Sequence, residues 1–248
     1  MRNMRLVLSY DGTDFSGWQV QPDAATIQGT LALAIGRITG ENVLPQGSGR
    51  TDAGGHALAQ VATFVTASPI PEVNLVNALN DTLPASVRVL EAAEVAGTFH
   101  ARKSARRKTY RYRIYRGDIC SPFLARYVWH YPYPLDEGAM AEAAKFILGE
   151  HDFTSFAAVD PEKGVDETSN VRTIFRSFWE RDGDEFLYTV EGNGFLHHMV
   201  RNLVGTFLLV GKGTRQACAV SRILEEKNRS EAGATAPARG LWLVKVEY

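Results

Sequence analysis

The stretch Lys108-Thr109-Tyr110-Arg111-Tyr112-Arg113-Ile114 alternates aromatic or aliphatic side chains with arginine. Successive side chains of a strand point to opposite faces, so Tyr110, Tyr112 and Ile114 share one face and Arg111 and Arg113 the other. The pattern predicts a half-buried strand, and it opens a second structural half. Upstream of it, residues 5–10 alternate and are rich in β-formers, which predicts a first strand. Thr26 reads as the N-cap of a helix in which Ile27, Leu31, Ile35 and Ile38 recur at helical spacing. A polar, glycine-dense loop over 46–55 leads to a strand at 61–66. A helix over 73–83, with Val76, Leu79 and Leu83 on one face, and a strand over 87–95 complete the order β-α-loop-β-α-β. That order predicts a ferredoxin-like or RRM-like half.

Downstream, residues 136–148 predict an alanine-rich helix, and 171–180 with 185–191 flank the hairpin signal Asp182-Gly183-Asp184. Residues 195–210 predict a long buried helix, 220–227 a shorter one, and 241–248 a further strand. The chain thus reads as α/β in the α+β sense. Two ferredoxin/RRM-like halves, 1–104 and 105–248, are expected to share a mixed, mainly antiparallel sheet with flanking helices.

Composition narrows the classes of function. With 45% hydrophobic and 22% charged residues, the 248-residue chain is globular rather than disordered. Cys120 and Cys218 lie far apart and form no CxxC pair. Neither a disulfide framework nor a thiolate zinc site is expected, and a reducing cytoplasm fits. The first ten residues lack the apolar core of a secretory signal, and the apolar stretch around 204–210 is far shorter than the ~20 residues of a membrane span. No membrane partner is expected.

Net charge is −1, yet eight of the 27 Lys and Arg fall within 101–116, with no acid among them. They are Arg102, Lys103, Arg106, Arg107, Lys108, Arg111, Arg113 and Arg116. A focused patch attracts phosphates even on a nearly neutral molecule.

Several near-matches to known motifs fail. Gly47-Ser48-Gly49 begins like a dinucleotide fingerprint, but Asp52 stands where the third glycine belongs. The run 205–212 resembles a P-loop with one residue too many, followed by Gly213 in place of Ser or Thr. No HExxH occurs, and His197 and His198 are adjacent on a predicted helix, where side chains diverge by about 100° and do not readily share a metal. No metal and no cofactor is expected.

Gly49-Arg50-Thr51-Asp52-Ala53-Gly54-Gly55-His56-Ala57 is different. It sets a base, a hydroxyl and an acid side by side in a glycine-rich loop, the usual place for reactive side chains. An aspartate before glycine also caps turns, so spacing alone leaves both readings open.

GRTDAG followed by HA resembles the active-site motif of the tRNA pseudouridine synthase A family. So, in order, do YDGTDFSGWQ with TIQG behind it, FHAR at 99–102, KTYRYRI at 108–114, HDFTSF at 151–156, VRTI at 171–174, GNGFLHHMVRN at 192–202 and APARGLWLVKVEY at 236–248. The likeness covers almost the entire chain, and eight such segments in order are specific where one would be weak. Gly55 departs from it, since the family usually has valine there.

The resemblance implies a cofactor-free isomerase that breaks the N1–C1′ bond of a uridine, turns the uracil and joins its C5 to C1′. It implies Asp52 as the essential carboxylate, either a nucleophile at C1′ or the base that removes a sugar proton. Both roles need the ionised form, and Arg201 resembles the arginine that keeps it so. Tyr110 corresponds to the tyrosine that stacks on the uracil and could relay the C5 proton; Leu241 corresponds to an apolar residue packed against the base. Arg50 corresponds to the residue that enters where the base had been, since a paired uridine must be flipped out at a cost of about a few kcal/mol. The patch Arg102, Lys103, Arg106, Arg107, Lys108, Arg111 and Arg113 is then expected to grip the RNA backbone. The resemblance further implies uridines 38, 39 and 40 of the tRNA anticodon stem-loop, and a homodimer. Two rivals remain: a non-catalytic RRM-like RNA-binding protein, and a carboxylate hydrolase of a glycosidic bond, for which Asp11 and Asp14 would be the nearest second acids.

Overall fold

The computed structural model describes residues 1–158 and 169–248. The chain forms two compact units, Met1–Arg106 with Trp242–Tyr248, and Arg107–Leu241. The expected boundary at 104/105 lies close to the first crossing; from Trp242 onward the chain returns to the first unit.

The first unit runs β1 (Arg2–Tyr10), α1 (Ile27–Thr39), β2 (Gln46–Gly47), β3 (His56–Thr66), α2 (Glu72–Thr82) and β4 (Val87–Val95). β1 is central, antiparallel to β3 on one side and to β4 on the other. Its alternation drives Met4, Leu6, Leu8 and Tyr10 into the core. Helix α1 starts where Thr26 Oγ1 accepts the Gly29 N–H at 3.2 Å, as the N-cap reading predicts. It packs with α2, whose buried Leu75 and Leu79 lie next to Leu83. Burial of each such leucine contributes roughly 1.5–3 kcal/mol.

Two boundaries differ from the sequence pattern. The loop expected over 46–55 begins with β2, which pairs with β3 at Thr63 and Ala62. β3 itself starts at His56 rather than at 61: Leu8 and Tyr10 of β1 pair with Gln60 and Ala57, and Trp242 and Leu243 of β10 (Leu241–Glu247) pair in parallel with His56 and Ala57. His56 itself takes its strand partner from almost 190 positions away, and local alternation carries no trace of it.

The second unit runs β5 (Arg107–Tyr115), β6 (Trp129–His130), α3 (Glu137–Lys145), β7 (Gly149–Asp152), β8 (Val171–Asp182), β9 (Glu185–Gly192), α4 (Met199–Gly211) and α5 (Ala219–Glu226). β5, β9, β8 and β7 neighbour one another in that order, all antiparallel. Tyr110, Tyr112 and Ile114 are buried, as the alternation of β5 predicts. Asp136 caps α3 by accepting the Ala139 N–H at 2.8 Å. Helix α4 is buried almost all round and packs against α3 and β5. Tyr112, Tyr188, Phe153, Phe156 and Phe207 are the largest fully buried side chains of this unit.

The helix expected over 195–210 starts four residues late. His198 adopts a left-handed backbone, φ 58°, which a right-handed helix cannot continue, so helical geometry begins only at Met199. Among the described residues no helix is long and apolar enough to cross a membrane. The architecture is mixed α+β, with the strands mainly antiparallel.

Candidate active site

The GRTDAG loop rests on a buried polar network. Gln60, fully buried in β3, donates through Nε2 to the Gly49 carbonyl at 2.9 Å and to the Tyr10 hydroxyl at 3.4 Å. Its Oε1 accepts from Ser48 Oγ at 2.7 Å and from the Val61 N–H at 3.2 Å. The Tyr10 hydroxyl in turn lies 2.8 Å from Thr51 Oγ1. Burial pushes the Tyr10 phenol up to about 12, so it stays neutral. A buried polar atom left without a partner costs about 1–3 kcal/mol, which makes a fully satisfied set of this kind stiff.

A second segment clasps the loop from outside. The Trp18 N–H donates to the Thr51 carbonyl at 3.0 Å, and the Gly54 N–H donates to the Phe15 carbonyl at 3.2 Å. The Gly12 N–H donates to Nδ1 of fully buried His56 at 3.2 Å; that nitrogen lies 3.3 Å from Asp11 Oδ1, and the imidazole stacks on Trp242 at 4.5 Å. Gly12 admits no side chain, because a Cβ there would lie 1.9 Å from the Gly55 carbonyl oxygen. The early YDGTDFSGWQ motif is thus the outer clasp of the loop. Between network and clasp, Asp52 is half-buried and Arg50 exposed.

The second unit carries Tyr110, Arg201 and Leu241. Tyr110 sits in β5 opposite Val190, buried, with its ring edge-on to Phe195 at 4.9 Å. Leu241 is buried at the start of β10. Arg201, half-buried in the first turn of α4, donates from Nε to the Ala236 carbonyl at 2.6 Å, and the Ala236 N–H returns a bond to the Arg201 carbonyl at 3.2 Å. The next residue, fully buried Asn202, anchors this turn. Its amide donates to the Phe156 carbonyl at 2.7 Å while its Oδ1 accepts from Arg229 at 3.0 Å and Thr235 at 2.7 Å.

His197 and His198 do not diverge as helix neighbours would. They lie before α4, and their rings approach to 3.9 Å between centroids. The left-handed turn at His198 brings together what helical geometry would separate.

The basic stretch divides in two. Arg102 and Lys103 are exposed in a turn of the first unit, where the Arg106 N–H donates to the Glu247 carbonyl at 2.8 Å. In β5, Arg107 meets Glu191 at 3.0 Å and lies over the Phe175 ring at 4.6 Å. Arg111 lies 3.6 Å from Glu180, and Arg113 grips Glu185 with two bonds of 2.6 and 2.7 Å. Arg116 pairs with Glu137 at 3.2 Å, and Lys108 is half-buried. Much of the positive charge that looks unopposed along the sequence is therefore opposed in space.

Sequence reasoning passed over Tyr10, Ser48 and Gln60. The available signal was a lone glutamine inside the apolar run Ala59-Gln60-Val61-Ala62, since a buried amide needs partners.

Comparison with known proteins identifies the family. A family model described as tRNA pseudouridine synthase matches residues 6–102 and 143–248. Proteins named "tRNA pseudouridine synthase A" are 51% identical in Solibacter usitatus, 46% in Brevibacillus brevis and 44% in Thermoanaerobacter sp. strain X514, each covering 100% of both chains. A solved chain titled "Crystal Structure of a Cbf5-Nop10-Gar1 Complex" overlays 96% of this chain on 57% of its own, at 12% identity; at a TM-score of 0.35 that likeness decides nothing. Full-length identity of this degree, together with an intact GRTDAG loop, places this chain in the tRNA pseudouridine synthase family.

Proposed function

We propose that this isomerase converts uridine to pseudouridine at positions 38, 39 and 40 of the tRNA anticodon stem-loop, as a cytoplasmic homodimer, with Asp52 as its catalytic carboxylate. The observation that carries the reading is the half-buried Asp52, held in a loop whose flanking residues are pinned from two sides, in a chain 51% identical to a full-length synthase.

The chemistry needs an ionised carboxylate at the sugar, as nucleophile at C1′ or as base for a sugar proton, and a route for the proton that leaves C5. Asp52 takes the first role. Tyr110 lies against the uracil and relays the proton, Leu241 packs on the base, and Arg201 is the counter-charge to the carboxylate. Arg50, exposed beside Asp52, fills the space of the flipped base. Arg102 and Lys103 hold RNA backbone, with Arg106 and Lys108 beside them in sequence; Arg107, Arg111 and Arg113 add less, because each already faces a glutamate. Two cysteines without a disulfide, Cys120 and Cys218, suit a reducing compartment.

The test is release of tritium from tRNA labelled at C5 of uridine, by the wild type and by Asp52→Asn, with pseudouridine mapped afterwards. Release by the wild type alone, mapped to positions 38–40, supports the reading. Release mapped elsewhere removes the positional claim, free uracil would indicate hydrolysis, and binding without release would leave an RNA-binding protein. Sedimentation of the free protein as a monomer would remove the dimer.

A further inference from the structure

We infer that Gln60 and Tyr10 are positioning residues for catalysis, acting through Ser48, Gly49 and Thr51 to fix where Asp52 points. The inference rests on the assignment of Asp52 as the catalytic carboxylate.

A buried glutamine in a strand is ordinarily a satisfied core amide. Gln60 differs in where its bonds go. Of its four hydrogen-bonding positions, one returns to its own strand at the Val61 N–H; the other three reach Ser48, Gly49 and Tyr10. Because both Nε2 hydrogens are committed, one to Gly49 and one to Tyr10, the Tyr10 oxygen accepts from Gln60 and its own proton is free to point at Thr51 Oγ1. The chain of hydrogen bonds runs from Gln60 through Tyr10 to Thr51, the residue before Asp52. The Thr51 carbonyl, on the other side of the same residue, is held by the Trp18 N–H at 3.0 Å.

Positions 48, 49 and 51 are therefore each fixed to the buried edge of β3 or the end of β1, with fully buried Ser48 and nearly buried Thr51 leaving little slack. Asp52 is the first residue after them whose side chain is not enclosed. Its direction follows from three anchored neighbours. Misplacing a reacting group by about 1 Å can cost about 100-fold in rate, so these anchors matter to turnover beyond their contribution to folding.

The experiment measures kcat and KM for tritium release from C5-labelled tRNA, with thermal unfolding of each variant alongside. Tyr10→Phe removes a single oxygen and Gln60→Leu removes the hub. Thr51→Val and Thr51→Ser separate the hydroxyl from the shape of residue 51. Ser177→Ala removes a buried hydroxyl of the second unit, bonded to the Ala144 carbonyl at 2.7 Å, and serves as a purely structural control. We expect kcat to fall about 10-fold for Tyr10→Phe and Thr51→Val and about 100-fold for Gln60→Leu, with KM changed less than about twofold. Thr51→Ser restores kcat, and Ser177→Ala keeps it despite a lower Tm.

Wild-type kcat in folded Tyr10→Phe, a rise confined to KM, or an equal loss in Ser177→Ala each overturns the inference. Should Gln60→Leu fail to fold, Tyr10→Phe and the Thr51 pair decide it alone. Asp52→Asn is measured in parallel: if it turns over normally, the assignment of Asp52 falls and this inference with it. If Asp52→Asn is dead while Tyr10→Phe and Thr51→Val are fully active, only the positioning role falls.

Discussion

Arg113 and Glu185 are joined by two parallel hydrogen bonds, 2.7 Å from Nε and 2.6 Å from a terminal nitrogen, with both side chains about four-fifths shielded. Geometry of this kind is among the stronger ion pairs, and it removes Arg113 from easy service to a phosphate. Lys103, in an exposed turn, has no comparable cost to reach RNA. Replacing Lys103 by Gln is expected to reduce the salt dependence of tRNA binding by about one phosphate contact, whereas Arg113→Gln leaves that slope nearly unchanged and lowers stability by about 1–3 kcal/mol. Binding titrations between low and moderate salt check this; equal slopes for the two variants would count against it.

Gly12 and Gly55 predict opposite outcomes although they touch one another. A methyl at Gly12 would sit 1.9 Å from the Gly55 carbonyl oxygen, a backbone atom that cannot turn aside. Gly12→Ala is therefore expected to displace the loop and to lower kcat by more than about tenfold. At Gly55 a Cβ would meet the Asp52 carbonyl at 3.2 Å, close enough to require a shift of a few tenths of an ångström and no more. Gly55→Ala should retain activity and gain up to about 0.4–1 kcal/mol through a less flexible unfolded chain. Thermal melts and tritium release on both variants test the contrast.

Alkaline stability should report the buried Tyr10. Its phenol is pushed up to about 12 in the folded protein, while in the unfolded chain it ionises near 10. Between those values the unfolded state has lost a proton that the native state retains, so stability falls as pH rises, by about 1.4 kcal/mol per pH unit for this one group. Below about pH 10 both states hold the proton and there is no dependence. Tyr10→Phe should flatten the decline of urea-unfolding free energy above pH 10; an unchanged slope would mean that other groups set it. Burial pushes Tyr112 and Tyr188 up as well, so the wild-type decline is steeper than one group gives.

Asn202 predicts a large effect on stability in the second unit. Asn202→Leu leaves the Phe156 carbonyl without that donor and the Arg229 and Thr235 groups without their shared acceptor, all around a fully buried position. A loss of about 2–4 kcal/mol is expected in urea titrations, and kcat falls too if Arg201 is released from its place. A loss below about 1 kcal/mol would show that water or a rearranged loop replaces these bonds.

What the sequence made legible follows from how local each signal is. The alternation of β5 and the capping by Thr26 depend on neighbours a few residues away, and they appear where expected. The strand pairing of His56 depends on Trp242, and the neutralisation of Arg113 depends on Glu185; neither partner is marked near the residue it acts on. The helix start at Met199 turns on one backbone angle, at His198, which no hydrophobic period encodes. At the candidate site Asp52 was picked out by the resemblance of the GRTDAG loop, since its company of Arg50 and Thr51 also fits a turn cap, whereas Gln60 was hidden because a single polar letter in an apolar strand has many innocent explanations.

The return of Trp242–Tyr248 to the first unit sets an order of events during synthesis. Domains commonly fold from the N-terminus as they leave the ribosome. Here all of Arg107–Leu241 is made before the strand that pairs with His56 and Ala57 exists, so the second unit can be complete while the first still has an open β3 edge beside the GRTDAG loop. His56 also lacks its stacking partner until then. The GRTDAG loop of the nascent chain thus receives this support only after all of Arg107–Leu241 has been translated.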